Sequence, residues 1–345
     1  MGLLGYLMRN CNSKERLDGK VAVITGCNTG IGFETAKSLA LRGCRVVMAC
    51  RDLEKAHNAA EGIKQIVRDR REKNNQKVMK DKVNNDIMNN EENEDSIVAV
   101  YHLDLSSLKS VRKCAEAILL AEPKINLLIN NAGVMACPRK LTEDGYEWQF
   151  AVNHLGHFLF TLLLLERICE SPGARIVNLA SLAHFWGSIH FDDLNLERRY
   201  SPTGAYFRSK LANVLFTKDL AQRLKGTGVT TYAVHPGIVA TEMSRHFSNT
   251  LIPGMTWVCQ KLGPYFAQNC AQGCQTTLYC AIDERAANEN GLYYSNCKPV
   301  SPSDKAKDPE LARRLWDVSL KLVGIEEDPS RDLARRMQNA SITRL

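Results

Sequence analysis

Six short apolar runs, each followed by a stretch of helical length, constrain this chain more than any other feature. Val21 to Thr25, Arg45 to Cys50, Ile97 to His102, Ile125 to Asn130, Ala174 to Ala180 and Val229 to His235 are rich in β-branched residues and read as strands. Each is apolar throughout instead of alternating, so both faces of the sheet they build should be covered. Helical patterns start near Ile31, Leu53, Ser106, Tyr146 and Tyr206. Strand then helix, repeated, is the pattern of an α/β chain with a doubly wound, Rossmann-type parallel sheet and helices on both faces. Gly291 to Tyr294 adds a strand at the far edge, for about seven in all.

Composition agrees with a folded, soluble class. The chain has 345 residues, of which 44% are hydrophobic and 24% charged, which excludes disorder and collagen-like order. Its 12 cysteines are scattered singly with no C-x-x-C pair, and read as reduced thiols of an intracellular protein rather than a disulfide framework. A net charge of +7, with basic and acidic residues interleaved, implies no nucleic-acid partner. It leaves peripheral contact with a weakly anionic membrane surface open. The opening run Met1 to Met8 is too short to span a bilayer or serve as a signal peptide, and Tyr6 stands where a myristoylation signal wants Ser or Thr.

Three stretches depart from the strand and helix rhythm. Arg68 to Asp95 carries seven Asn, seven Lys or Arg and eight Asp or Glu, and reads as a solvated insertion, a loop between the second helix and third strand. Met243 to Cys280 is rich in Met and aromatic residues and reads as helices over the carboxyl edge of the sheet. Within it Met243, Trp257 and Phe266 fit plain core, the wall of an apolar substrate tunnel, or a face resting on lipid. After Pro309, the residues Leu311, Leu315, Val318 and Leu322 share one helical face that packs on the body. The expected organisation is an N-terminal segment 1–19, one domain 20–330 with a lid around 243–270, and a tail 331–345.

The chemistry concentrates at strand ends. Thr25-Gly26-Cys27-Asn28-Thr29-Gly30-Ile31-Gly32 follows the first strand and opens the first helix. Glycine suits a sharp turn whose backbone N–H groups approach a pyrophosphate, with the helix N-terminus facing the anion. A tight turn without a ligand is the plainer alternative. At the end of the second strand stands Ala49-Cys50-Arg51-Asp52. Arg51 comes first and suits a ribose 2′-phosphate, so NADP(H) is the expected cofactor unless Arg51 merely pairs with surface carboxylates. Asp104 is a candidate acceptor for the adenine amine, and Asn131-Ala132-Gly133 closes the fourth strand.

Tyr206 and Lys210 lie four apart on a helix read as Ala205 to Leu224, and so share a face. A neighbouring ammonium lowers a phenol's pKa toward neutrality, which suits proton exchange. Ser181, at the end of the fifth strand, can donate to a carbonyl oxygen as charge develops on it. Asn153 can hold a water behind Lys210. His154-x-x-His157 has metal-ligand types but no visible third ligand, and Cys270-x-x-x-Cys274 reads as thiols on one helical face.

With these residues in place, the chain resembles the short-chain dehydrogenase/reductase family in its classical branch. The resemblance runs from about Lys20 to Thr241 and rests on Thr25-Gly26-x-x-x-Gly30-x-Gly32, Asn130 to Gly133, Asn153, Ser181, Tyr206-x-x-x-Lys210 and Pro236-Gly237 followed by Thr241. It implies a catalytic tetrad of Asn153, Ser181, Tyr206 and Lys210. Tyr206 would then be the acid/base, Lys210 would also hold the nicotinamide ribose, and Pro236, Gly237 and Thr241 would line the nicotinamide end. The segments Asn178 to His184, Ser209 to Phe216 and Gly228 to Gly237 are similar to the retinol dehydrogenase 11 to 14 group. That group implies NADP(H), retinal-type aldehydes and alcohols, and the endoplasmic reticulum surface, though the insertion and the short N-terminus depart from its usual form. A steroid or general carbonyl reductase, a non-catalytic NADP(H)-binding sensor or scaffold, and pairing into a homodimer stay open.

Overall fold

The computed structural model describes residues 9–81, 97–237, 239, 269–331, 333 and 336. One sheet of eight strands organises them, in the order β3-β2-β1-β4-β5-β6-β7-β8. The strands are β1 (Val21–Thr25), β2 (Arg45–Cys50), β3 (Val98–His102), β4 (Leu127–Asn130), β5 (Arg175–Leu179), β6 (Thr230–His235), β7 (Leu292–Ser295) and β8 (Lys298–Pro299). The first seven are parallel, and β8 folds back antiparallel on β7. The edge is therefore this two-residue strand and not Gly291 to Tyr294; two residues are too few to leave a pattern in sequence.

Alternate residues along a strand feed opposite cores. Val21 and Val23 join one cluster, while Ala22 and Ile24 join the other. The first core lies under α3 (Leu108–Ala121), α4 (Trp148–Cys169), α5 (Pro202–Arg223) and α7 (Pro309–Leu322). The second lies under α1 (Gly30–Ala40), α2 (Leu53–Asp81) and α6 (Gln275–Ile282). Continuous burial explains why the strands carry no polar face. The order reverses between β1 and β4, the switch point where open α/β sheets bind ligands beyond the carboxyl ends.

Helix ends follow from local chemistry. Ser201 accepts from Gly204 N at 3.2 Å with Pro202 in the first turn of α5, so that helix begins three residues before the expected Ala205. Asp308 caps α7 by accepting from Glu310 N and Leu311 N. The buried stripe of α7 is Ala312, Leu315, Trp316, Ser319 and Leu320. It is rotated from the expected Leu311, Val318 and Leu322, which sit at its margin, because the large Trp316 ring takes the centre of the contact.

The charged stretch from Arg68 also differs from expectation. α2 runs on to Asp81, since Lys, Glu, Gln and Arg are good helix formers even without an apolar stripe. Residues 82–95 of that stretch, the opening run 1–8, most of the expected lid (243–268, with Met243, Trp257 and Phe266) and 337–345 lie outside the described residues. Ahead of β1 the chain is fastened to the body: Leu17 is buried, and Cys11 N donates to Gln275 Oε1 at 3.1 Å. Trp148–Cys169 is long and apolar enough to cross a bilayer, but 89% of its apolar window is buried inside the protein, as in a core helix.

Candidate active site

At the switch point the turn from β1 into α1 is built without room for side chains. Gly26 and Gly30 take φ of +59° and +63°, a region that favours glycine. A Cβ on Gly26 would lie 2.7 Å from the Ala132 Cβ, and one on Gly32 would lie 2.5 Å from Asn131 Nδ2 and 2.7 Å from Cys27 Cα. Asn131 clasps this turn to the end of β4, donating to the carbonyls of Thr25 (2.9 Å) and Gly26 (3.0 Å). Thr25 Oγ1 accepts from Asn131 N (2.9 Å) and Ala132 N (3.0 Å). Its single proton therefore goes to His157 Nε2, 2.8 Å away. His157 is thus the neutral Nδ1–H tautomer, donating to the Asn153 carbonyl at 3.1 Å, and burial holds its pKa down to about 4.

This clasp was not foreseen in the sequence, where His154 and His157 stood out only as metal-ligand types. The two rings do separate work: His154 bonds Ser319 Oγ at 2.9 Å, among Phe150, Phe158 and Phe216. Among the described residues no three His, Cys, Asp or Glu gather as a metal site would need. Cys274 is buried and Cys270 half-buried.

The cradle fits a dinucleotide phosphate. Thr29, the residue before α1, makes no side-chain cap bond, so its side chain does not take up the first N–H groups of that helix, as an anion-binding helix end requires. Asn28, Thr29 and Gly30 are partly exposed there, with Ile31 buried behind them. Arg51 is exposed at the end of β2, while Asp52 has turned away: its Oδ1 accepts from Lys55 N at 3.1 Å and caps α2. Asp104, just past β3, uses Oδ1 to accept from Ser106 N (2.9 Å) and Ser106 Oγ (2.6 Å). Ala132 and Gly133 are half-buried beside the turn, and Pro236 and Gly237 close β6, with Gly237 at φ +89°. Thr241 lies outside the described residues.

Ser181, Tyr206 and Lys210 come together at the carboxyl ends of β5 and β6. Ser181 leaves β5 and caps a short 3-10 turn, Leu182–Trp186, its Oγ accepting from Ala183 N at 3.2 Å. Tyr206 and Lys210 are both buried on one face of α5, as their spacing predicts. The ammonium lies 5.7 Å from the centroid of the Tyr206 ring. Lys210 Nζ donates to the Leu179 carbonyl at 2.9 Å, which also accepts from Asn213 Nδ2 at 3.0 Å.

The phenol's pKa runs opposite to the expected direction. Burial pushes Tyr206 up to about 12, against which the neighbouring Ser181 hydroxyl works in the lowering sense. Burial likewise brings Lys210 down to about 8. The reason is geometric: the Lys210 ammonium is hydrogen-bonded to a carbonyl and not to the phenol, so desolvation dominates both groups.

Asn153 sits in a π turn, Ala151–Leu155, within α4. Its Oδ1 accepts from Val134 N at 2.8 Å and its Nδ2 donates to Val134 O and Ser209 Oγ, each at 2.9 Å. The side-chain amide thus ties the loop after β4 to α5.

Comparison with known proteins agrees with this geometry. A family model for short chain dehydrogenases matches residues 20–73 and 59–251. The chain is 47% identical over 315 residues to human retinol dehydrogenase 12, covering 91% of this chain and 90% of that protein. It is 44% identical over 326 residues to human retinol dehydrogenase 13, covering 93% and 90%. A crystal structure of an uncharacterized protein from Mycobacterium paratuberculosis superposes with a TM-score of 0.68 at 32% identity, over 92% of this chain and 98% of that one. This chain belongs to the short-chain dehydrogenase family, and is an oxidoreductase of that family acting on CH–OH groups with a nicotinamide dinucleotide.

Proposed function

We propose that the protein interconverts a lipophilic aldehyde and its alcohol using NADP(H), with retinal and retinol as the pair. The observation that carries the reading is the buried Tyr206 phenol beside Ser181, with the Lys210 ammonium against its ring. The substrate class rests on the names of the retinol dehydrogenases that this chain resembles over nine-tenths of its length. NADP(H) rests on Arg51, which stands exposed at the strand end while Asp52 is occupied in capping α2; a guanidinium pairs with a 2′-phosphate that a carboxylate would repel.

When bound, the nicotinamide supplies hydride in reduction and takes it up in oxidation. The chain's part is positioning and proton transfer. Tyr206 gives its proton to the carbonyl oxygen as the alcohol forms, and Ser181 donates a hydrogen bond to the same oxygen. A phenol whose pKa is near 12 is protonated at neutral pH, which is the form reduction requires. Lys210 is held at the end of β5 by Leu179 to bind the nicotinamide ribose, and Asn153 keeps the neighbouring loop and α5 in register. Gly26, Asn28, Thr29, Gly30, Ile31 and Gly32 hold the phosphates, Asp104 the adenine, Asn131 to Gly133 the middle of the cofactor, and Pro236, Gly237 and Thr241 its nicotinamide end.

The test is a panel of retinal, steroid and short-chain carbonyls, each with NADPH and NADH, on wild-type protein and Tyr206→Phe. Retinal with NADPH should be turned over best, and the variant should bind NADPH but lose about 10²- to 10⁴-fold in rate. Preference for steroids or short aldehydes would favour a general carbonyl reductase. NADPH binding with no turnover would favour a non-catalytic sensor, and full activity in Tyr206→Phe would defeat the mechanism.

A further inference from the structure

His184 lies three residues beyond Ser181, fully buried, in the 3-10 turn that Ser181 caps. Its ring makes two hydrogen bonds. Nδ1 is 2.7 Å from the Ser181 carbonyl oxygen, and Nε2 accepts from the Ser303 N–H at 3.0 Å. Because an amide N–H can only donate, Nε2 carries no proton; because a carbonyl can only accept, Nδ1 does. The two partners therefore impose one neutral tautomer. The Ser181 carbonyl accepts from the His184 backbone N–H as well, at 3.2 Å, so its peptide plane is gripped twice by the same residue.

The ring itself has little freedom to tilt. Phe185 lies 4.4 Å away between centroids at 48°, and Tyr293 of β7 lies 4.6 Å away at 61°. Ser303 is fixed in turn, as the cap of the short helix Asp304–Lys307, its Oγ accepting from Ala306 N at 3.4 Å. A chain of hydrogen bonds thus runs from this helix through the imidazole to the main chain of Ser181, whose hydroxyl stands beside the Tyr206 phenol.

We propose that His184 is a positioning residue for the reaction: through Nδ1–H it locks the Ser181 main chain so that the hydroxyl stays aimed at the substrate oxygen and Tyr206. The inference rests on the part assigned to Ser181 under the proposed function. It differs from a packing role, in which only the ring's volume and its place between Phe185 and Tyr293 would count. Misplacing a reacting group by about 1 Å can cost about 100-fold in rate, so a hydrogen bond on the serine's own peptide has leverage over catalysis that packing lacks.

Two substitutions separate the roles. In His184→Asn the amide nitrogen overlays Nδ1 and keeps the donation to Ser181, losing Ser303. In His184→Gln the amide oxygen reaches toward the position of Nε2 and keeps Ser303, losing Ser181. Both remove the aromatic ring. Each variant is compared with wild type for kcat, KM, NADPH Kd and Tm, on whichever carbonyl of the panel the wild type turns over. The tautomer is read directly from the NMR spectrum of protein labelled with 15N-histidine.

His184→Gln should lose about tenfold or more in kcat with KM and NADPH Kd within about twofold, and His184→Asn should recover most of kcat at a similar Tm. The spectrum should show the His184 signal as neutral and protonated on Nδ1. Equal loss of kcat in the two variants, loss that appears only in KM or cofactor affinity, or protonation on Nε2 would overturn the inference. Failure of the proposed function shows elsewhere, in wild-type protein that reduces no carbonyl or in an active Tyr206→Phe. The tautomer and the two Tm values are readable in that case too.

Discussion

Replacing Gly32 by alanine tests the reading of the β1 to α1 turn most sharply. An added Cβ would stand 2.5 Å from Asn131 Nδ2, 2.7 Å from Cys27 Cα and 2.8 Å from the Gly26 carbonyl oxygen. Two of these three atoms are main chain of the turn itself, so no rotamer change relieves them. The third belongs to a side chain held by two hydrogen bonds, to Thr25 O and Gly26 O. Overpacking of this kind costs about 1–3 kcal/mol, and pushing Asn131 off its carbonyls about 1–3 kcal/mol more. Gly32→Ala should therefore lose about 2–6 kcal/mol of stability. NADPH affinity should fall by about tenfold or more, because the same movement misaligns the first N–H groups of α1. Gly62 is the control: it lies in α2 with nothing within 4 Å of an added Cβ, and Gly62→Ala should gain about 0.5–1 kcal/mol. Urea unfolding and fluorescence titration with NADPH measure both effects. If Gly32→Ala unfolds within about 0.5 kcal/mol of wild type and binds NADPH unchanged, the turn has room that this reasoning denies it.

Three further outcomes follow from the same geometry. Arg51→Ala should weaken NADPH by about 10- to 100-fold while leaving NADH unchanged in direct binding titrations; a parallel loss of both would remove Arg51 from cofactor discrimination. Lys210 releases its proton at about 8 when folded, against 10.5 ordinarily, so between those values the unfolded chain binds more protons and stability climbs with pH, by at most about 1.4 kcal/mol per unit. Lys210→Met should lose that climb in urea midpoints taken with no cofactor present, and a wild-type minus variant difference that stays flat across the window would contradict the burial argument. Arg208 and Glu147 pair at 2.9 Å with side chains 2% and 0% exposed, and Glu147 also accepts from the N–H groups of Gln149 and Phe150. Arg208→Met should cost about 3–5 kcal/mol by stranding the carboxylate, with Glu147→Gln added to it recovering part; a loss under about 1 kcal/mol would mean that water reaches the pair.

Much of this site is written locally, and local signals survive in a sequence. The apolar runs of β1 to β6, the glycines between β1 and α1, and the four-residue step from Tyr206 to Lys210 each depend on neighbours a few residues away. Those spacings were enough to place Ser181 at the end of β5 and Arg51 at the end of β2. The helical reach of α2 into the charged stretch was missed because an exposed helix needs no apolar stripe. The stripe of α7 was misplaced by a few residues because Trp316 could choose its neighbours only in three dimensions.

Chain order alone determined the parallel sheet, the strand ends that carry the polar residues, and the side of α5 from which the phenol and the ammonium project. Only tertiary structure decided what those groups bond. It set Lys210 on the Leu179 carbonyl, left Tyr206 with a high pKa, made Asn131 and His157 clasps for the cradle, and brought Ser303 to the far side of His184. The reason is that protonation and hydrogen-bond partnership depend on distance and on exclusion of water, which residues far apart in sequence supply to one another only once the sheet has closed around them.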